Sequence, residues 1–436
     1  MKFSRMPVLV AAAALAVTAC NRDAESLSQA DGNPLLSHVP ADTPYIFANI
    51  EPTPPEVIDA FMLRMAPSLA TAQTLLDDFK LEINTDDPDE HREARLISAV
   101  LSEFDGKLNR EGLESMGLSL ESHKVIYGMG MFPVIRIALR DAEALRATIG
   151  RIEAASGMTF TSLTSGETDY WKITDHKGGD AGVYLAILAD HVAFSMFPTA
   201  AESDLLPMFL GQSTPASPMG VNTLSAMNRD KGYLNYGSGF LDLQRIAGEI
   251  MDTESRTMTQ LRNVGHYKGH GLDEVCTSEI KAMVARAPRL TGGTTELSTN
   301  AVGMSYELEI ETTLAEKLAG LVADVPVADS SANKVFSAAL GLRMGRVRDL
   351  ALEQANAIIA SPFQCESLQG MNVQAQAMVD QLNRPMPPFV NNLKGFRLSM
   401  DEVDFENFKP ENARGMFSLE VEKPQMLIGM AQMFVP

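Results

Sequence analysis

Residues 303–311 constrain this chain's fold more than any other stretch. Met304, Tyr306, Leu308 and Ile310 alternate there with Ser305, Glu307, Glu309 and Glu311. Successive side chains of a strand point to opposite faces. One side of this strand is therefore apolar and the other polar, with the glutamate ladder 307, 309 and 311 as the solvated face. Antiparallel sheets tolerate one covered and one wet face, whereas parallel sheets bury both. The expectation is an α+β protein with largely antiparallel sheets packed by helices.

The rest of the chain fits that frame. Strands are expected at 45–50, 124–131, 133–139, 159–163, 170–174, 183–188, 192–197, 233–239, 334–342, 396–404 and 416–422. In the third of these Ile135, Ile137 and Leu139 share one face, and Ala189-Asp190-His191 makes a tight hairpin connection. Between strands, apolar residues recur at helical spacing. Val57, Ile58, Phe61, Met62 and Met65 follow three prolines, Ala94, Ile97, Leu101 and Phe104 form a second stripe, and Leu145, Ile149 and Ile152 form a third behind Asp141 as cap. Further helices are expected at 200–210, from 242, around Cys276, and at 314–322, 346–360, 371–382 and 425–434. Residues 211–218, rich in Gly, Ser, Thr and Pro, read as a linker between domains at 38–212 and 218–436. Gly130-Met131, Gly303-Met304 and Gly415-Met416 each precede a strand, which suggests weak strand–helix repeats. The apolar face falls on even offsets after the first two pairs and on odd ones after the third, which cuts against that idea.

Composition narrows the partners. The chain has 436 residues with 45% apolar and 21% charged content, as a globular protein has. Its net charge is −20. Nucleic acid is excluded as a partner, because its binding needs a basic footprint. The 25 methionines fall mostly at helical spacing, as in Met426, Met430 and Met433, where they read as core filling or as a soft apolar groove.

The chemistry-bearing residues are sparse. Cys276 and Cys365 lie 89 residues apart with no Cys-x-x-Cys, so they read as one disulfide rather than a redox or metal pair. His266 and His270, ahead of Asp273 and Glu274, are the only metal-like spacing. Gly265, Gly269 and Gly271 disfavour the helix that would align them, so an exposed loop is the plainer reading. Asp86, Asp87, Asp89 and Glu90 lack the glycine and terminal glutamate of a calcium loop and read as a helix cap. Gly237-Ser238-Gly239 is too short for a nucleophile elbow, and no phosphate-binding loop or dinucleotide fingerprint occurs. No catalytic residue, metal or cofactor is expected.

The N-terminus carries the most specific local motif. Lys2 and Arg5 precede an apolar run over 6–17, too short for a permanent membrane span. Val17-Thr18-Ala19-Cys20 then resembles the lipobox of bacterial lipoproteins. The resemblance implies a signal peptide over 1–19, cleavage before Cys20, and lipidation of Cys20. Residues 20–37 are small and polar and read as a flexible tether. Asn21, rather than Asp, follows the cysteine, which the resemblance associates with the outer membrane facing the periplasm. Residues 38–55, with Pro40-Ala41-Asp42-Thr43-Pro44, are similar to the opening of proteobacterial periplasmic lipoproteins of unknown function.

The functional expectation follows. The chain reads as an anchored, non-enzymatic lipoprotein held to the membrane by lipid, binding an envelope protein or an apolar or lipid ligand. The alternatives are an anchored hydrolase without a sequence-level signature and a purely structural envelope spacer.

Overall fold

The computed structural model describes residues 32–64, 92–107, 109–174, 181–213, 215, 219, 221–263, 272–324, 336–385, 388–403 and 413–432. The fold is α+β, with two antiparallel sheets among the described residues. Contacts divide the chain into two compact units. Residues 272–286 and 310–436 form the second, and residues up to 271 with 287–309 form the first.

The first unit is built on a ten-stranded sheet. Its strands are β1 (Tyr45–Ala48), β2 (Lys124–Met129), β3 (Phe132–Ala138), β4 (Thr161–Ser165), β5 (Thr168–Thr174), β6 (Ala181–Ile187), β7 (His191–Pro198), β8 (Ser238–Asp242), β9 (Arg289–Leu297) and β10 (Val302–Glu309). They lie in the order β10-β9-β8-β1-β2-β3-β7-β6-β5-β4. The helices include α1 (Arg92–Glu103), α2 (Ala142–Ser156), α3 (Glu202–Phe209), α4 (Val221–Lys231), α5 (Leu243–Met251) and α6 (Arg256–Asn263). Asp141 caps α2 by accepting from the backbone N–H of Glu143 and Ala144, and Gly157 ends it at φ 64°.

The middle strands are covered on both faces. On one, Ile46, Tyr127, Val134, Tyr184 and Phe197 pack with Leu35 and Leu36 of the short helix Pro34–His38 and with Leu205 and Phe209 of α3. On the other, Ile187 and Val192 pack with Leu145 and Ile149 of α2, with Leu96 and Trp171 against them. The face of β3 opposite Ile135 and Ile137 therefore lies in the deeper core, not in water.

β10 is antiparallel, as expected, but its partner β9 is a strand not expected from the sequence, and the two faces of β10 are exchanged. Tyr306 and Leu308 are 66% and 51% exposed. Glu307 and Glu309 turn instead to Lys231 of α4, at 2.9 and 3.4 Å. The alternation marks a two-faced strand correctly, but pattern alone does not say which face a neighbour covers.

The contacts divide the chain elsewhere than at 211–218. Gln212 and Ser213 donate back to Pro207 O, Gln212 Oε1 accepts from Ser165 Oγ, and buried Met219 donates to Val39 O at 2.7 Å. Gln212, Ser213 and Met219 are thus fastened to the first unit.

The second unit holds α7 (Glu274–Ala285), α8 (Thr312–Ala319), β11 (Phe336–Gly341), α9 (Met344–Ala360), α10 (Gln369–Leu382), β12 (Leu393–Val403), β13 (Ala413–Val421) and α11 (Pro424–Gln432). The sheet order is β11-β12-β13. Cys276 of α7 and Cys365, just before α10, form a disulfide with Cα atoms 4.5 Å apart. Beside it Glu279 accepts from the backbone N–H of Gln364 and Cys365 at 2.9 and 3.1 Å.

Candidate functional site

Two features stand apart from ordinary packing. The first is a buried polar cluster in the first unit. Arg136 lies mid-strand in β3 and is fully buried. Its Nε donates to Tyr127 Oη at 3.1 Å, its Nη2 to Phe209 O at 2.8 Å and Met208 O at 3.2 Å, and its Nη1 to His191 Nε2 at 2.7 Å. Guanidinium only donates, so His191 Nε2 must accept. The imidazole proton then sits on Nδ1 and points to Asp190 Oδ1 at 2.6 Å. Met208 and Phe209 end α3, where the helix dipole is negative and favours a cation.

His38 completes the cluster, its ring 5.2 Å from that of His191. Burial, then the charges of Arg136 and His191, push the His38 pKa down to about 4 against a smaller pull from Asp190. Burial also lowers His191, and the Arg136 charge adds to this, while the bond to Asp190 opposes it. Burial raises the Asp190 carboxyl, but its bond and charge interaction with His191 hold it below its ordinary value overall.

This arrangement has the Asp–His half of a hydrolytic triad and no role for it. His191 Nε2 is occupied by a guanidinium, so it has no lone pair to offer a nucleophile. Ser238, the centre of Gly237-Ser238-Gly239, is fully buried and its Oγ has no hydrogen-bond partner. Among the described residues, no group of three His, Cys, Asp or Glu could hold a metal.

The second feature is the sheet of the second unit, whose faces are inverted. Register sets Leu340, Phe396 and Leu419 side by side, and Ala338, Leu398 and Phe417 two residues along on the same face. This face is apolar yet open. Leu340 is 46%, Phe396 37%, Phe417 61% and Leu419 53% exposed, with the two phenyl rings 6.1 Å apart. The opposite face carries Gly395, Arg397, Ser399, Ser418 and Met416, the last 51% exposed. Ser399 is buried, and the Oγ atoms of Ser399 and Ser418 are enclosed without hydrogen-bond partners. Two serine hydroxyls are covered while large apolar side chains face water, the reverse of ordinary economy.

Of the residues singled out from sequence, Cys276 and Cys365 are brought together. Cys20, His266, His270, Asp86, Asp87, Asp89 and Glu90 lie outside the described residues. The Arg136 cluster escaped sequence reasoning, although an arginine inside the apolar run Val134-Ile135-Arg136-Ile137 was a usable signal. No helix among the described residues is long and apolar enough to cross a membrane.

The architecture places the chain in the α+β class. Comparison with known proteins found no matching family, no matching curated protein and no matching solved structure.

Proposed function

We propose that this chain is a lipid-anchored, periplasm-facing outer-membrane protein that binds an apolar ligand and catalyses no reaction. The open apolar face of β11–β13 carries the reading. Its four large side chains leave on the order of 300–400 Å² of apolar surface in water. A standard protein interface takes about 800 Å² from each partner. The face is therefore better matched to a small apolar molecule, an acyl chain or similar, than to a broad protein surface. The lipobox-like Cys20 supplies the address, and the polar stretch 21–31, ahead of the packed helix Pro34–His38, is expected to supply the reach. The hydrolase alternative is weakened by the occupied His191 Nε2 and the enclosed Ser238.

The test has two arms. Wild-type protein and a Cys20→Ser variant are fractionated from cells, and the variant is expected to leave the membrane fraction. The soluble variant is then purified without detergent and its bound molecules identified by mass spectrometry. An apolar molecule is expected, and it should be lost from a Phe417→Ser/Leu419→Ser double variant. A bound envelope protein would select the broader partner reading instead. If nothing co-purifies, and an environment-sensitive apolar dye binds both forms equally, the ligand reading fails.

A further inference from the structure

β13 ends its sheet on one side, and among the described residues nothing pairs with its outer edge. The other side differs. Next to β11, Val322 bridges Leu342 and the Ala323 N–H donates to Gly341 O at 3.2 Å. An unpaired edge presents a row of free N–H and C=O groups, which proteins usually blunt with proline, lysine or a bulge. β13 spans nine residues, Ala-Arg-Gly-Met-Phe-Ser-Leu-Glu-Val, with no proline and no lysine. The register breaks fall in its neighbour β12, between Leu393 and Gly395 and between Met400 and Glu402. The edge is long, regular and unguarded.

We propose that this edge pairs antiparallel with the same edge of a second copy of this chain, about a twofold axis at Phe417. The sequence is self-complementary about that residue. Phe417 stands opposite itself, Met416 opposite Ser418, Gly415 opposite Leu419, and Ala413 opposite Val421. Arg414 stands opposite Glu420 of the second copy, and the symmetry makes that pair twice. Opposite charges placed directly across a strand pair stabilise it, and bulky residues beside glycine fit without crowding. Moving the axis to Met416 would set Arg414 against Ser418 and leave Glu420 without a cation.

The other edges lack this property. β10 carries Glu307 and Glu309 and no basic residue, so pairing it with itself gives no ion pair across the strands. β4, Thr-Ser-Leu-Thr-Ser, has no charges to set a register. Among the described strands, only β13 combines an open edge with charges that match under a twofold axis, the symmetry most homodimers adopt. The acidic net charge of −20 opposes association only weakly at physiological salt, where charges beyond about 8 Å are screened. The product is a six-stranded sheet in which the face bearing Phe396, Phe417 and Leu419 runs on into its mate. The pairing does not depend on what that face binds.

The test is sedimentation equilibrium on the Cys20→Ser protein with its Cys276–Cys365 disulfide intact, from low to high micromolar concentration. A reversible dimer is expected. Arg414→Glu alone, or Glu420→Arg alone, should weaken it about tenfold or more. The double reversal, Arg414→Glu with Glu420→Arg, should restore it, which a merely misfolded single variant would not allow. Phe417→Cys should cross-link two copies under mild oxidation. Arg414→Cys should not, because the paired positions lie about 20 Å apart along the strands. A wild-type monomer throughout the range overturns the proposal. So does a double reversal no better than the single ones, or cross-linking at 414 as fast as at 417.

Discussion

Arg136 Nη1 lies 2.7 Å from His191 Nε2, with both side chains shut away from water. Among the described residues, no carboxylate is a hydrogen-bond partner of this guanidinium. Its charge is met by two helix-end carbonyls, a phenol and an imidazole whose Nδ1–H donates to Asp190. Each partner becomes an unsatisfied acceptor if the guanidinium goes. A buried polar group left unpaired costs about 1–3 kcal/mol. Relief of the buried charge offsets part of this. Arg136→Met is expected to cost about 3 kcal/mol or more, read from the urea midpoint of unfolding. Arg136→Lys should cost about 2 kcal/mol, because one ammonium cannot reproduce the planar fork.

The same cluster sets an acid limit. His38 is pushed down to about 4 from an ordinary 6.5, so it is neutral in the folded chain near pH 6, and His191 is lowered too. The unfolded chain takes up these protons at about 6.5. Folding stability is then complete above pH 6.5 and falls as pH drops toward the folded values, by up to about 1.4 kcal/mol per pH unit for each histidine. Half-exposed His38 should give less than that, because water screens it. Denaturation curves at pH 7.5 and pH 5 should differ by about 1–2 kcal/mol in the wild type. In a His38→Gln variant the difference should shrink. An unchanged difference would place the titration on other groups.

How much of this was legible in the sequence depends on what each residue had to reveal. Strands β2, β3, β6 and β7 followed from β-branched runs and one turn, because their signal is local. β9 did not, because Thr291-Gly292-Gly293-Thr294 reads as a turn. Both glycines serve tyrosines from elsewhere. A Cβ at Gly292 would come within 2.8 Å of the Tyr306 ring, and one at Gly293 within 2.4 Å of the Tyr233 ring. Only tertiary contact makes that strand intelligible. Tyr233 itself looked like the start of a strand, whereas β8 begins at Ser238. The apolar periodicity of β12 and β13 was visible, but nothing in the sequence says that the polar face is the covered one. The isoleucines at 135 and 137 mark one apolar face of β3, and their alternation alone says nothing of a core on the Arg136 side. A strand with helices on both sides makes both faces interior.

Lys124 offers a stabilising change. Its Nζ donates to Leu120 O at 2.8 Å, and burial pushes its pKa down to about 8. A folded value below the unfolded 10.5 means the ammonium is disfavoured in the fold. That penalty is whole below pH 8 and is relieved as pH rises toward 10.5. Lys124→Met keeps the aliphatic stem and removes the charge, at the cost of one hydrogen bond worth about 1 kcal/mol. The net expectation at pH 7 is a gain of about 1–2 kcal/mol, shrinking toward zero or below by pH 10. A gain independent of pH would mean that packing, not the amine, is responsible.

The disulfide makes a prediction that separates the two units. Cys276 and Cys365 both belong to the second unit, and the bond closes a loop with a sequence separation of 89. In the chain-entropy model such a loop contributes on the order of 4–5 kcal/mol by restricting the unfolded chain. Realised values are often smaller because the unfolded chain retains structure. The Cys276→Ser/Cys365→Ser double variant should therefore destabilise the second unit by about 2–4 kcal/mol. Glu279 should not rescue it, since its bonds to Gln364 and Cys365 hold one turn and close no covalent loop. Urea unfolding followed at Trp171, the only tryptophan and a residue of the first unit, should move little. Far-ultraviolet dichroism at the same urea concentrations should show earlier loss of helix from α7, α9 and α10. If both signals shift together by the full amount, the units unfold as one body and the loop constrains the whole chain.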